Sequence, residues 1–254
     1  MKLAIFSAFP QEVKQLARGF RPVEKVETHS LTLYFTRYFA REVIIVQTGM
    51  GAKNTEAALK YVAKDYSPDF LLSAGFGGAL YEGASAGDIV CGRRVFLIPE
   101  NIPDGSSPDR RKLPSEEVPD VASVISRLSD KVSIREGCIL TIEKHMDKPT
   151  IRKVLPRKLS FPVCDMETYF LARLAREMGL PFLCLRAITD RFDEEIPREL
   201  LGVTDESGRY RLSRAIRLIL GKPQIISNIF RIGMNARIAS INLSRAVRAL
   251  IEVL

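Results

Sequence analysis

The sequence predicts an α/β fold in which strands and helices alternate around an open sheet. Apolar runs of strand length recur through the first 190 residues, and helical stretches separate several of them. Glycine-rich turns stand at the ends of several predicted strands. The chain has 254 residues, 46% of them hydrophobic, so it is long enough for one domain with a well-buried core. Ligands of such a sheet bind beyond the strand ends, where we therefore expect the site residues.

The first predicted elements are a buried strand over residues 2–8 and a helix that begins at Pro10. Proline is favoured in the first turn of a helix because its missing N–H needs no partner there. A hairpin-like pair of strands follows, the first from Leu31 and the second from Glu42. The second strand of this pair ends in a Thr-Gly-Met-Gly turn at 48–51, which opens another helix.

The sequence pattern predicts three more strands in the middle of the chain. Residues 69–80 form an apolar strand that we expect to end in a glycine-rich turn. Another strand follows a turn at Gly87, and a third covers residues 138–142. Residues 99–120 contain five prolines and many charges, which predicts a loop or lid rather than core.

Residues 161–190 predict a strand, a turn, a helix and a final strand. The helix has apolar residues at helical spacing, namely Phe170, Leu171, Leu174 and Met178. Pro181 follows this helix, and the final strand ends at Asp190.

The charge of the chain is unevenly distributed. The formal net charge is +8, and residues 208–254 hold nine basic residues against the single acid Glu252. The first 207 residues are therefore balanced, and the C-terminal region is a candidate for contact with an anionic surface. The four cysteines are widely spaced, which suits reduced core thiols, and with only two histidines we expect no metal site.

Three carboxylates stand at predicted strand ends or in the helical turns beside them. Glu12 follows the first strand, Glu167 starts a helix, and Asp190 ends the last strand. Each alone has an ordinary structural explanation, because the helix dipole stabilises acids in a first turn and Asp commonly caps helices. Together they converge on one edge of the predicted sheet, where two carboxyl groups can divide the roles of acid and base.

Four segments resemble the superfamily of purine nucleoside phosphorylases and 5′-methylthioadenosine (S-adenosylhomocysteine) nucleosidases. They are KLAIFSAFPQEV, TGMGAKNTEAAL, SAGFGGAL…GDIV and CDMETYFLARLAREMGLPFLCLRAITD. The resemblance covers residues 2–193, and its most specific part is Asp-Met-Glu at 165–167 followed by Arg-Ala-Ile-Thr-Asp ending at Asp190. It implies a three-layer α/β/α fold with a mixed central sheet, as in nucleoside phosphorylases.

The resemblance implies cleavage of the N-glycosidic bond between ribose and a purine, without a cofactor or metal. In this scheme Glu12 prepares the attacking water, Glu167 accepts hydrogen bonds from the ribose hydroxyls, and Asp190 protonates the purine. The chemistry agrees, because breaking this bond builds positive charge on the sugar and negative charge on the base. The resemblance also implies substrate-binding roles for Ala8, Phe9, Met50, Gly75, Phe76, Gly77, Met166, Arg186 and Thr189.

The nucleophile distinguishes two branches of this superfamily. A phosphorylase must hold a phosphate dianion, for which Arg, Ser and backbone N–H groups are the natural ligands. Phe76 stands where many relatives carry a small or hydroxyl residue, no Arg precedes it, and Glu12 would repel phosphate, so hydrolysis is favoured. Phosphate held by Lys53 or by a partner subunit is the alternative. An inactive homologue that serves as a membrane-binding or polyanion-binding module is a second alternative.

We expect residues 201–254 to form a basic helical extension beyond a catalytic domain of residues 1–200. The extension loosely resembles that of hopanoid-associated phosphorylases, which implies a lipid-linked substrate such as adenosylhopane. Apolar residues from 216 to 232 interleave with basic residues, so residues 208–254 are a candidate for contact with an anionic bilayer. The alternative is that these helices pack on the core or form a dimer contact.

The expected partners are a small-molecule nucleoside and a second copy of the chain, because relatives often complete the pocket with a neighbour's residues. We expect no specific binding of nucleic acid. The sequence has no apolar run long enough to span a membrane and no convincing signal-peptide cleavage site. These features predict a cytoplasmic protein, with the extension as a candidate for peripheral contact with the inner membrane surface.

Overall fold

The computed structural model describes residues 1–20, 24–28, 31–100, 113–128, 131–156, 158–195 and 226–254. These ranges contain ten strands and six helices. The strands are β1 (Lys2–Ser7), β2 (Glu24–Glu27), β3 (Thr32–Tyr38), β4 (Arg41–Gln47), β5 (Phe70–Ala79), β6 (Ile89–Ile98), β7 (Ser115–Glu117), β8 (Ile134–Ile142), β9 (Pro162–Asp165) and β10 (Phe182–Asp190). The helices are α1 (Pro10–Phe20), α2 (Gly51–Tyr66), α3 (Val121–Leu128), α4 (Lys148–Val154), α5 (Thr168–Glu177) and α6 (Ile226–Val253).

The strands form one mixed sheet. β1 lies between β4 and β5 and is parallel to both, while β10 is parallel to β5 and antiparallel to β6. From β6 the order continues through β8 and β9 back to β5, so these five strands close into a ring. On the other side of β5 the sheet stays open through β1, β4, β3 and β2.

Helices cover both faces of this sheet. α1 and α3 both pack against α6, whereas α2 packs against α5. The predicted α/β/α fold with a mixed sheet is confirmed. The sheet is not open throughout, because the pairing of β10 with β5 closes one end of it.

The central strands are apolar because neighbouring elements cover them on both faces. In β1, Leu3, Ala4 and Ile5 have no exposed surface. Strands buried on both sides lack the alternation of apolar and polar residues that one-sided strands show. α1 packs its buried residues Val13 and Leu16 into the same core, which brings its first turn to the end of β1.

The glycines of the predicted turn at the end of residues 69–80 lie inside β5. Gly77 pairs with Ile188 and Gly78 with Asp190 across to β10. A Cβ at Gly77 would overlap the side chain of Val163, and one at Gly78 would come within 2.6 Å of Asp190 Oδ2. The prediction of a turn was wrong, because these glycines serve close packing rather than chain reversal.

Other elements differ from the prediction in smaller ways. Residues 115–117 form the short strand β7 within the segment predicted as a loop, and residues 101–112 of that segment lie outside the described residues. The sequence pattern did not predict β2, α3 and α4. Met178 follows α5 and is exposed, so the apolar face of that helix ends before it.

The long C-terminal helix α6 belongs to the same hydrophobic core as the sheet. Its second half is buried through Leu243, Val247 and Leu250, among others. Ser244 lies so close to α1 that a Cβ at Gly19 would meet its hydroxyl. The expectation that the tail packs on the core is confirmed for this half, while residues 208–225 lie outside the described part of the chain. No helix in the described ranges is long and apolar enough to cross a membrane.

The four cysteines are free, and Cys91 and Cys184 are buried in the core. Burial raises the pKa of the Cys164 and Cys184 thiols to about 12, so both thiols stay protonated and unreactive at neutral pH. Among the described residues, no group of three His, Cys, Asp or Glu side chains is placed to hold a metal ion.

Candidate active site

A cavity of about 600 Å³ opens at the carboxyl ends of β1, β4, β9 and β10, beside the second half of β5. All the site residues predicted from the sequence line it. They are Ala8, Phe9, Glu12, Met50, Gly75, Phe76, Gly77, Met166, Glu167, Arg186, Thr189 and Asp190. The structure therefore brings these residues together, and the role of each stays a prediction.

Glu12 is buried in the cavity wall, in the first turn of α1. Its Oε2 accepts a hydrogen bond at 2.9 Å from the N–H of Phe9, just before the helix. A glutamate in a first helical turn satisfies a free donor of the helix in this way. Its Oε1 accepts a second bond, at 2.6 Å, from the N–H of Phe76 in β5. Two backbone donors therefore hold the two carboxylate oxygens.

Burial raises the pKa of Glu12 to about 7. Loss of hydration is the largest cause, because an ionised carboxylate is stabilised by water. The N–H groups of Phe9 and Phe76 and the positive charge of Arg186 act in the opposite direction. Glu12 thus gains or loses its proton close to neutral pH, which is the property that a general base requires.

Glu167 connects β9 to α5 and is half-buried at the cavity. Its Oε1 accepts a hydrogen bond at 2.9 Å from the N–H of Gly51, the first residue of α2. Burial raises the pKa of Glu167, and the nearby Asp165 carboxylate adds to that rise. Met166 lines the same wall. An acidic group and an apolar side chain therefore stand side by side in this part of the cavity.

A buried ion pair between Arg186 and Asp165 supports this wall, and the sequence analysis missed its acid. The Nη2 and Nε atoms of Arg186 donate to Asp165 Oδ2 at 2.7 and 2.9 Å. Nη2 also donates to the hydroxyl of Ser73, and Nη1 donates to the carbonyl of Leu185. Each guanidinium nitrogen of Arg186 therefore donates to the protein itself, although the side chain lines the cavity.

Lys148 is the second charged group that the sequence analysis missed. Its Nζ lies 2.6 Å from Asp190 Oδ2, and only 4% of its side chain is exposed. The hydroxyl of Thr189 donates to Asp190 Oδ1 at 2.8 Å. Both oxygens of Asp190 therefore accept from protein donors, one of which carries a positive charge.

The first half of α6 forms a further, apolar wall of the cavity. Ile229, Ile232 and Ala236 line it. The Nδ2 of Asn235 donates at 2.9 Å to the carbonyl of Thr189, the residue before Asp190. The helix thus both covers the cavity and holds the end of β10.

The sequence contained signals for some of the missed residues. Asp165 is the first residue of the Asp-Met-Glu motif. Lys148 follows Asp147 and precedes Pro149, and an Asp before a Pro is typical of a helix start. Asp147 does cap α4, since its Oδ1 accepts from the N–H of Thr150 at 2.8 Å. The α6 residues carry no such local signal, because their place in the cavity depends on tertiary packing.

The arrangement places the carboxyl groups of Glu12 and Asp190 along one strand. Glu12 contacts Phe76, and Asp190 lies against Gly78, two residues further along β5. Two residues of a strand span roughly 7 Å. This spacing leaves room for a bond that is cleaved between an attacking group beside Glu12 and a leaving group beside Asp190.

The chain is similar in sequence to a known family and to known proteins. Residues 2–220 match the model of the family described as the phosphorylase superfamily. A 5′-methylthioadenosine/S-adenosylhomocysteine nucleosidase of Hydrogenovibrio crunogenus is 26% identical over 202 residues, which cover 75% of this chain and 85% of that protein. The nucleosidase of the same name from Listeria monocytogenes is 23% identical over 211 residues, covering 77% and 88%.

Solved structures share this fold. The 5′-methylthioadenosine/S-adenosylhomocysteine nucleosidase of Neisseria meningitidis, in complex with methylthio-immucillin-A, superimposes with a TM-score of 0.70 at 17% identity. That match covers 100% of this chain and 99% of the other. The futalosine hydrolase of Helicobacter pylori gives a TM-score of 0.72 at 14% identity, covering 100% and 98%.

Proposed function

The chain belongs to the phosphorylase superfamily, and from that premise we propose that it hydrolyses the N-glycosidic bond of a purine nucleoside of the adenosine type. Glu12 activates the attacking water, and Asp190 protonates the departing purine. The observation that carries this proposal is the placement of both carboxyl groups along β5 in one cavity. The names of the curated relatives, which are nucleosidases, support the same class of reaction.

The charges of the cavity suit the transition state of this reaction. As the bond from the anomeric carbon to the purine nitrogen breaks, the ribose becomes positive and the purine negative. Ionised Glu12 supplies negative charge on the sugar side of the cavity, where Glu167 accepts hydrogen bonds from the ribose hydroxyls. Asp190, paired with Lys148, supplies the proton on the purine side. The two ends of the cavity therefore match the two developing charges.

Two contacts and the position of Lys53 favour water over phosphate as the nucleophile. The N–H of Phe76, a natural phosphate donor, is already bound to Glu12 at 2.6 Å. The guanidinium nitrogens of Arg186 donate to protein acceptors. Lys53 is exposed on α2 and is not among the residues that line the cavity. Phosphate would thus meet two carboxylates, and these three groups do not offer it a free lysine or arginine, which disfavours the phosphorylase alternative.

The apolar wall of α6 supports an adenosine with an apolar 5′ substituent as the substrate. Ile229 and Ile232 line the cavity, while Phe230 and Met234 of the same helix are exposed outside it. A lipid-linked adenosine such as adenosylhopane is the extreme member of this class. The exposed residues would then contact the bilayer that holds the lipid, with Arg231 and Arg237 near its anionic headgroups.

The activity is tested with a panel of nucleosides that differ in base and 5′ substituent, with and without phosphate. We expect release of free adenine and of the free sugar at the same rate in both conditions. Strict dependence on phosphate with formation of ribose 1-phosphate would select the phosphorylase. Binding of polyanions without any release of base would select the inactive homologue.

The membrane contact is tested on α6 without deleting it, because its second half belongs to the core. The double variant Phe230→Ser, Met234→Ser should lose binding to vesicles of phosphatidylglycerol in a sedimentation assay. Phe39→Ser is the matched control, since Phe39 is also exposed but lies on the turn between β3 and β4. Equal binding by the wild-type protein, the double variant and Phe39→Ser would contradict the membrane contact. We also propose a homodimer, which sedimentation velocity measures directly.

A further inference from the structure

Lys148 is a buried cation, and its ammonium group contacts three oxygen atoms at the carboxyl end of β10. Its Nζ contacts Asp190 Oδ2 at 2.6 Å and donates to the carbonyl of Asp190 at 3.1 Å. It also donates to the carbonyl of Arg191. An ammonium has three N–H donors, so these contacts account for all of them. The geometry fixes the cation to the acid and to the backbone that carries it.

The backbone of Lys148 is held as firmly as its side chain. Its N–H donates at 2.9 Å to Glu195 Oε1, and Asp147 caps the helix that it starts. A buried ammonium is unfavourable unless it is paired and hydrogen-bonded. Here the ion-pair partner is the residue proposed as the acid, and both side chains line the cavity. A lysine with only a packing role would not need to face the substrate.

We propose that Lys148 is a positioning residue for the departure of the purine, which deepens the proposed function and rests on it. Lys148 fixes the Asp190 carboxylate and supplies, through it, the proton that the purine takes up. As the glycosidic bond breaks, its electron pair moves to the purine. A ring nitrogen of the purine receives a proton from Asp190, and Asp190 receives one from Lys148.

The protons balance over the catalytic cycle. Water adds to the anomeric carbon and gives one proton to Glu12, while the pair of Lys148 and Asp190 loses one to the purine. Exchange with solvent after product release returns a proton to Lys148 and removes one from Glu12. The sum of these steps is nucleoside plus water giving the free sugar and the free purine, and no other reactant is needed.

The proposal predicts that the need for Lys148 depends on the leaving group. A purine leaves only with a proton, whereas 4-nitrophenolate is stable as an anion and leaves without one. Loss of Lys148 should therefore slow nucleoside hydrolysis far more than hydrolysis of 4-nitrophenyl β-D-ribofuranoside. A lysine that only stabilised the fold would affect the two substrates alike.

The experiment compares Lys148→Met, Lys148→Arg and the wild-type protein on both substrates. We expect Lys148→Met to lower kcat for the nucleoside about 100-fold with little change in KM, and to lower kcat for the aryl riboside less than about threefold. Lys148→Arg restores the ion pair but does not release its proton, so it should keep the fold and lower the nucleoside rate nearly as much as Lys148→Met does. Lys153→Met is the matched control, because Lys153 lies on the same helix but is exposed, and it should leave both rates unchanged.

Two results would overturn the role of Lys148 alone. One is an equal loss on both substrates, and the other is full nucleoside activity in a folded Lys148→Met protein. If Lys148→Met does not fold, the test uses Lys148→Arg and compares its ratio of nucleoside rate to aryl riboside rate with that of the wild-type protein. The same ratio in both proteins would count against the proposal. A wild-type protein that hydrolyses neither substrate would instead overturn the proposed function, and the role of Lys148 with it.

Discussion

The two ends of the cavity hold their carboxyl groups by different means. Glu12 is held by the backbone N–H groups of Phe9, just before α1, and of Phe76 in β5. Asp190 is held by side chains, those of Thr189 and Lys148. Backbone donors stay in place whatever the neighbouring side chains are, whereas a side-chain anchor is lost with one substitution. The Glu12 end is thus fixed by the fold, and the Asp190 end is open to adjustment by sequence.

The electrostatic settings of the two ends differ in the same way. Burial raises the pKa of Glu12 to about 7, although the N–H groups that hold its carboxylate act in the opposite direction. Asp190 lies against a buried ammonium. The surroundings of Glu12 favour a group that takes up a proton near neutral pH. In the proposed mechanism, Lys148 restores the proton that Asp190 gives to the purine. Four predictions test this contrast.

Removal of the base should have the largest effect. We expect Glu12→Gln to lower kcat for nucleoside hydrolysis by about 1,000-fold, because the amide cannot accept a proton from water. The loss should be equally large for 4-nitrophenyl β-D-ribofuranoside, since water must be activated for either leaving group. Adenine release and nitrophenolate absorbance measure the two rates. Wild-type activity in a folded Glu12→Gln protein would discard the mechanism.

Removal of the acid should slow nucleosides selectively and weaken the fold. We expect Asp190→Asn to lower kcat for nucleosides by about 100-fold or more. The substitution leaves the buried Lys148 ammonium with carbonyl partners only, so the free energy of unfolding should fall by about 3 kcal/mol. Urea unfolding of Asp190→Asn and Glu12→Gln, side by side, checks whether the variant at the ion pair is the less stable one. If Glu12→Gln proved less stable than Asp190→Asn, the contrast between the two ends of the cavity would be contradicted.

The pH dependence should report the Glu12 end. The base must be ionised, and its pKa is about 7, so kcat/KM should rise with pH up to about 7 and then level off. Below that pH it should fall about tenfold per unit. The acidic limb should be the same for nucleosides and for the aryl riboside, because both need the base. A flat profile between pH 5 and 8 would show that Glu12 does not titrate as the base.

The smallest effect is expected at the contact of α6 with β10. Asn235→Ala removes the hydrogen bond to the Thr189 carbonyl and should lower kcat for nucleosides by about threefold to tenfold. Asn242→Ala is the matched control on the same helix, since its Nδ2 donates to the carbonyl of Gly87 at 3.0 Å, outside the cavity. Both variants should lose a similar unfolding free energy, of about 1 kcal/mol. Equal changes in kcat would show that the contact with Thr189 has no special role.

The sequence predicts the Glu12 end better than the Asp190 end, and the contacts explain why. Glu12 is positioned by its own helix start, two residues after Pro10, so the local pattern identifies it. Asp190 depends on Lys148, 42 residues earlier, and on α6. No local pattern states which distant elements meet, and the resemblance named Asp190 without naming its partner.

The glycines of β5 show a second reason why sequence patterns fail. A run of glycines usually indicates a turn, because glycine adopts backbone angles that other residues avoid. In β5 the missing side chains serve instead to let Val163 and Asp190 approach the strand. The composition is the same in both cases, and only the neighbours in space distinguish them. The strand order that closes the ring was equally absent from the sequence pattern.

The closure of the ring by β10 has a consequence for the synthesis of the protein. On a ribosome, β5, β6, β8 and β9 emerge well before the strand that joins β5 to β6. The edges of β5 and β6 that pair with β10 stay unpaired until residue 190 leaves the exit tunnel, whereas β8 and β9 find their partners earlier. Until then the nascent chain exposes two apolar strand edges, and unpaired edges of this kind favour aggregation.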